Sequence, residues 1–195
     1  AYSVASYSKG AVFLNQMGYI IGKDQLEKGM KRYFNEWKFK HPNPTDLKRI
    51  MEKESGLELD WYLENFVGTT KTIDYGIKDV QSNENKTEVV LQRIGQMPMP
   101  LDVVVTYKDG SQENFYIPLE IMRGEKVENL YGKTTLLSDW AWTYPEYSFE
   151  IDRNQKEIEK IVIDPSQRMV DVNPEDNAYP TISKNLPRLK GEKVQ

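Results

Sequence analysis

The spacing of apolar residues changes once along this chain, near residue 72, and that change limits the fold more than any other feature. Up to that point apolar residues recur every three or four positions, the period of a helix. Beyond it they alternate, the period of a half-buried strand. A chain divided in this way is expected to fold as an α+β molecule in two parts, a short helical bundle followed by an all-β sandwich. At 195 residues it is one domain or two small ones, long enough to bury a core without a disulfide or a structural metal.

The helical part begins with two stripes, Tyr7, Ala11, Leu14, Ile21 and Phe13, Met17, Ile20. A helix apolar on nearly all sides belongs inside a large core. Gly22 is placed to stop it, and Asp24 precedes Glu27 at capping-box spacing. Leu26, Met30, Tyr33 and Trp37 then share one face of a helix about 20 Å long. His41-Pro42 ends that helix. Asn43, Pro44 and Asp46 have the chemistry of N-cap, first turn and third position of the next. Leu47, Ile50 and Met51 form its apolar face and Gly56 closes it. Asp60 is placed to cap a fourth helix carrying Trp61, Tyr62, Leu63, Phe66 and Val67, which ends at Gly68. Trp61 and Tyr62 read as core anchors joining the helices to the sandwich.

The strand candidates are Ile73–Val80, Thr87–Ile94, Leu101–Tyr107, Glu113–Ile117, Thr134–Leu137, Tyr147–Ile151 and Glu159–Ile163. Asp109-Gly110 reads as a type I′ hairpin turn. About seven short strands separated by turn signals suggest a sandwich. The boundaries read from these patterns are 1–72 for the helical part, 73–173 for the sandwich and 174–195 for an extended tail, in which Pro174, Pro180 and Pro187 interrupt any ladder.

Composition excludes much. The net charge is −4, and such a chain lacks the basic footprint of a nucleic-acid binder. No apolar run approaches the ~18 residues of a membrane span. With no cysteine and a single histidine, His41, there is no zinc finger, thiol nucleophile or multi-histidine metal site. His41 lies between two helices and reads as a surface residue. The carboxylate sets Asp24/Glu27 and Glu52/Glu54/Glu58 fall where caps and solvated faces explain them. Trp140, Trp142 and Tyr144 could form an aromatic patch for a glycan or a protein, although sandwich cores also bury such residues. Gly18-x-x-x-Gly22 lacks the Lys-Ser/Thr of a phosphate loop.

The first residues are more specific. Tyr2-Ser3-Val4-Ala5-Ser6-Tyr7-Ser8-Lys9-Gly10-Ala11 leads directly into the apolar helix. This segment resembles the zinc aminopeptidases of the aminopeptidase N and leukotriene hydrolase type, the gluzincins with an H-E-x-x-H zinc helix. There a segment Tyr-x₄-Tyr-x-Lys-Gly-Ala/Phe lies downstream of the zinc ligands. Gly22-x-Asp24-x-Leu26-x-x-Gly29-Met30-x-x-Tyr33, Phe39-x-His41-Pro42, Asp46-Leu47 and Ser55-Gly56-Leu57-x-Leu59-Asp60-Trp61-Tyr62 resemble the following helices. Ile163-Asp164-Pro165 resembles the end of the family's small immunoglobulin-like β domain. The resemblance spans about 1–175 and is most specific over the first 70 residues.

The resemblance implies a catalytic role for Tyr7 and places Tyr2 beside the same cleft as a substrate-binding candidate. It implies zinc in the parent enzyme and none in this chain, which has no H-E-x-x-H. The ligands would precede Ala1, so the chain is expected to be the inactive C-terminal part of a peptide hydrolase, an aminopeptidase. Its partners would be the peptide substrate and the N-terminal catalytic half. Lys9 reads as solvated and Gly10 as a close-packing point. The chemistry suits a phenol. Peptide hydrolysis passes through an oxyanion, and a neutral phenol, with pKa near 10, donates one directed hydrogen bond to it.

Two other readings stand beside this one. The first is a non-catalytic binding or spacer module using the aromatic patch; the second is a degenerate relative without zinc. If the first helix lost its neighbours, self-association would follow. An exported bacterial enzyme, periplasmic or extracellular, is compatible with the composition.

Overall fold

The computed structural model describes residues 7–127 and 131–181. Four helices come first: α1 (Lys9–Ile21), α2 (Lys23–Trp37), α3 (Pro44–Ser55) and α4 (Asp60–Gly68). Eight strands follow: β1 (Tyr75–Asn83), β2 (Lys86–Arg93), β3 (Leu101–Tyr107), β4 (Gln112–Ile117), β5 (Thr134–Leu136), β6 (Glu146–Ile151), β7 (Ile158–Ile163) and β8 (Ala178–Tyr179). The fold is α+β, with helices and strands segregated along the chain.

Local chemistry accounts for both ends of α3 and for the break at Gly22, with two corrections. At α3 the expected capping box forms: Asn43 Oδ1 accepts from the Asp46 amide at 3.1 Å and Asp46 Oδ2 from the Asn43 amide at 2.9 Å. Gly56 takes the left-handed conformation, φ +75°, that ends the helix. The box expected at Asp24 and Glu27 is absent, because α2 starts at Lys23 and Gly22 occupies the cap position. Gly22, at φ +93°, turns the chain so sharply that α1 and α2 follow with no linker. Asp60 does not cap α4 either. It opens the helix, and its carboxylate pairs with the Lys48 ammonium.

The strands form two sheets, ordered β1-β2-β6 and β5-β4-β3-β7-β8. All pairings are antiparallel except β4 with β5. Phe115 of β4 and Phe149 of β6 meet across the sheets, with ring centroids 5.1 Å apart. β3 is central: Leu101, Val103, Val105 and Tyr107 are buried on one face, Asp102 and Val104 on the other. The Asp109-Gly110 turn is not the expected two-residue type I′. Only Gly110 has positive φ, +82°. The loop is Lys108-Asp109-Gly110, closed by Gly110 N–H to Tyr107 C=O and Tyr107 N–H to Ser111 C=O, both 2.9 Å. A three-residue loop with a left-handed glycine satisfies the same strand twist.

Beyond residue 173 the chain adds β8 to β7; Pro174 and Pro180 flank this pair, leaving Ala178 and Tyr179 free to bond. The expected tail beyond 181 lies outside the described residues.

Helices and sheets share one core. Met17, Tyr19, Ile20, Met51 and Tyr62 join the same buried cluster as Leu91, Val103, Val105, Ile161 and Met169.

Candidate active site

Tyr7 stands in a π-type turn immediately before α1, 70% exposed. The helix it leads into is rigidly held at its far half, where Gln16, Met17, Gly18, Tyr19, Ile20 and Ile21 are all buried. Two anchors come from α4: Tyr62 donates its hydroxyl to the Phe13 carbonyl at 2.8 Å, and the two rings stack at 5.1 Å. Two more come from the sandwich. Gln16 donates Nε2 to the Met169 carbonyl at 2.8 Å, and the Asp102 amide donates to the Tyr19 hydroxyl at 3.0 Å. Burial pushes the phenols of Tyr19 and Tyr62 above the ordinary range, so both stay protonated as structural hydroxyls. On the α2 side Gly18 lets the helices pack closely: a Cβ there would meet Leu26 Cδ2 at 2.9 Å, and that side-chain tip would have to move aside. Gln16 and Tyr19 thus bind α1 to the sandwich, while the hydrogen bond and ring stack of Tyr62 tie α4 to α1.

The turn Asp164–Met169 presents the carbonyl that Gln16 uses. Asp164 accepts from the Met169 amide at 2.6 Å and from Ser166. The Asp-Pro sequence read at the end of the sandwich thus serves to dock α1.

The front half of α1 is open. Ala11 is exposed, and Val12, Phe13 and Leu14 are half-buried, so the expectation of a helix enclosed along its whole length holds only for its second half. Lys9 places its ammonium 5.2 Å over the Phe66 ring. Gly10 has open space where a Cβ would stand, so it is not a close-packing point. A groove of about 480 Å³ runs beside it, lined chiefly by Phe13, Tyr33, Leu47, Leu63 and Phe66. Tyr2 lies outside the described residues.

The other candidates separate clearly. His41 is exposed in the α2–α3 loop. Glu52, Glu58 and Asp60 converge within 4.8 Å, but the Lys48 ammonium already lies against Asp60 and 3.4 Å from Glu52. Glu52 also accepts the Leu59 amide at 3.0 Å. Glu54 pairs with Arg32 at 2.8 Å. Trp140 leaves the aromatic patch: it is buried, edge-on to Tyr75 at 5.6 Å, with its indole N–H on the Tyr144 carbonyl. Trp142 and Tyr144 remain exposed.

Residues 1–66, which include Tyr7, all of α1 to α3 and most of α4, match the model of the peptidase family M1 domain. Over this stretch the chain is similar to peptidase family M1. No curated protein matches the chain. This similarity relates residues 1–66 to peptide hydrolases of a zinc-using kind, and the residues present do not fit that metal. The chain has one histidine and no H-E-x-x-H, and in the acidic cluster Glu52/Glu58/Asp60 the Lys48 ammonium already pairs with Glu52 and Asp60. No described helix is long and apolar enough to cross a membrane.

Proposed function

We propose that this chain supplies one wall of a zinc-dependent aminopeptidase site, with the Tyr7 hydroxyl as donor to the oxyanion formed when a peptide bond is attacked. The supporting observation is the mounting of Tyr7. It falls inside the M1 match, its ring is exposed, and it precedes a helix that Phe13 ties to α4 and whose far half is fixed to the sandwich through Gln16 and Tyr19. A donor held still before the charge develops stabilises the transition state without reorganising. The metal ligands would come from residues other than these, so the chain alone is inactive. The strand order, β1-β2-β6 against β5-β4-β3-β7-β8, supports reading the sandwich as immunoglobulin-like, a spacer that holds α1 in place.

In an enzyme that joins this chain to an H-E-x-x-H segment, Tyr7→Phe should lower kcat by ~10²–10³ with little change in KM. Steady-state kinetics on an aminoacyl anilide measures this, and an unchanged kcat would remove Tyr7 from the reaction. The chain alone, assayed with added zinc, should show no turnover.

A further inference from the structure

The loop between α2 and α3 holds a residue that the fold does not explain. Phe39 is 100% exposed and left-handed, with φ +64°. That conformation strains a bulky side chain and suits glycine. A ring lying wholly in water contributes nothing through burial. Strain without burial points to a role outside the fold.

The surroundings indicate the role. Phe34, in the last turns of α2, is 66% exposed, and Trp37 is half-buried under the Lys40 ammonium, 5.7 Å from its ring centre. Lys38 and Lys40 flank Phe39, and Lys31, Phe34 and Lys38 follow one another on one helix face, all exposed. Acidic groups near this tip are occupied. Glu36 pairs with Arg32 at 2.6 Å, and that guanidinium holds its carboxyl below the usual range, with Lys53 and Lys40 adding to the effect. Asp46 is engaged in the α3 capping box. Asp24 and Glu27 are at the other end of α2, about 15 Å or more from Lys38, although Glu27 lies one turn from Lys31. The result is exposed aromatic rings set among lysines.

We propose that the α2–α3 loop docks the molecule on an anionic phospholipid surface. Phe34 and Phe39 enter the headgroup boundary, and Lys31, Lys38 and Lys40 meet the phosphates. Lysine stems allow this arrangement, since they lie along apolar surface while the ammonium stays with the headgroups. The charge of the whole chain gives the orientation. Residues 1–72 carry 11 basic and 9 acidic side chains, a net of +2, and residues 73–195 carry 15 and 21, a net of −6. A negative surface attracts the helical end and repels the sandwich. The contact is interfacial rather than spanning.

The test is co-sedimentation of the chain with phosphatidylcholine vesicles, with and without phosphatidylglycerol. Binding is expected only with the anionic lipid, and should weaken as salt rises. Lys38→Glu with Lys40→Glu should cut partitioning by roughly 25-fold or more, at about five-fold per charge removed. Phe39→Ser should weaken binding with every charge intact. Phe39→Gly should also weaken binding while raising the denaturant midpoint, the reverse of a folding defect. Failure to sediment with anionic vesicles would overturn the proposal, as would binding indifferent to Phe39. A dimer abolished by Phe39→Ser, in place of vesicle binding, would assign the face to a second copy. Equal affinity for a single-stranded oligonucleotide, independent of Phe39, would reduce the site to a general polyanion contact and also overturn it.

Discussion

At the scale of single residues, the tightest positions are where backbone meets backbone. Gly95 follows β2 and donates its N–H to the Asp74 carbonyl at 2.9 Å. A Cβ there would stand 2.4 Å from the Thr72 carbonyl oxygen and 2.6 Å from the Asp74 nitrogen. Backbone atoms cannot retreat as a side-chain tip can, so Gly95→Ala should cost about 1–3 kcal/mol, read from urea unfolding. Gly10, three residues after the candidate catalytic tyrosine, is the contrast: with open space around it, Gly10→Ala should be neutral or stabilising through helix propensity, by up to about 1 kcal/mol. Sequence alone treats both glycines alike, because the neighbour that distinguishes them is remote in the chain.

At the scale of elements, short-range chemistry was legible and its exact use was not. Asn43, Pro44 and Asp46 announced the start of α3, since all partners lie within four residues. Asp24 and Glu27 had the same spacing, but Gly22 joins α1 to α2 so tightly that no cap position is left to Asp24. The β3–β4 turn was recognisable from Asp109-Gly110, while the loop length depended on the pairing of the strands. Its tip carries a pH prediction. Asp109 accepts from the Ser111 amide and hydroxyl at 2.9 and 2.6 Å and from Arg153 at 3.1 Å, and these bonds lower its pKa to about 2. A carboxyl depressed on folding contributes stability above its unfolded pKa of about 4 and loses it as pH falls through the folded value. Between about pH 4 and pH 2, Asp109→Asn should therefore flatten the stability profile, measured as thermal midpoints against pH. The group is exposed, so the effect is small.

At the scale of the whole molecule, the joint between helices and sandwich carries a charge. The Lys126 ammonium is buried 2.6 Å from Asp102, donates to the Tyr19 carbonyl at 3.2 Å, and lies between the Tyr19 and Tyr116 rings at 4.5 and 4.9 Å. Removing one member of such a pair leaves the other charged and buried. Lys126→Met should destabilise by about 3–5 kcal/mol, and adding Asp102→Asn should recover part of the loss; denaturant midpoints of the single and double variants decide this. No sequence signal marked Lys126. It sits in an irregular segment after β4, and its partners come from α1, β3 and β4.

The amino-acid order by itself determined the division into helices and strands, the cap of α3, the position of most strands and the Tyr7 segment. The elements and the cap rest on periodicity and on contacts within a few residues, which a linear chain records directly; the Tyr7 segment was legible only through its resemblance to a known family. Only the tertiary structure decided which apolar faces are covered, that Trp140 is core, that Gln16 and Tyr19 bind α1 to the sandwich, and that Phe39 stands strained in water. Burial and charge pairing depend on groups far apart in sequence, and folding alone brings those together.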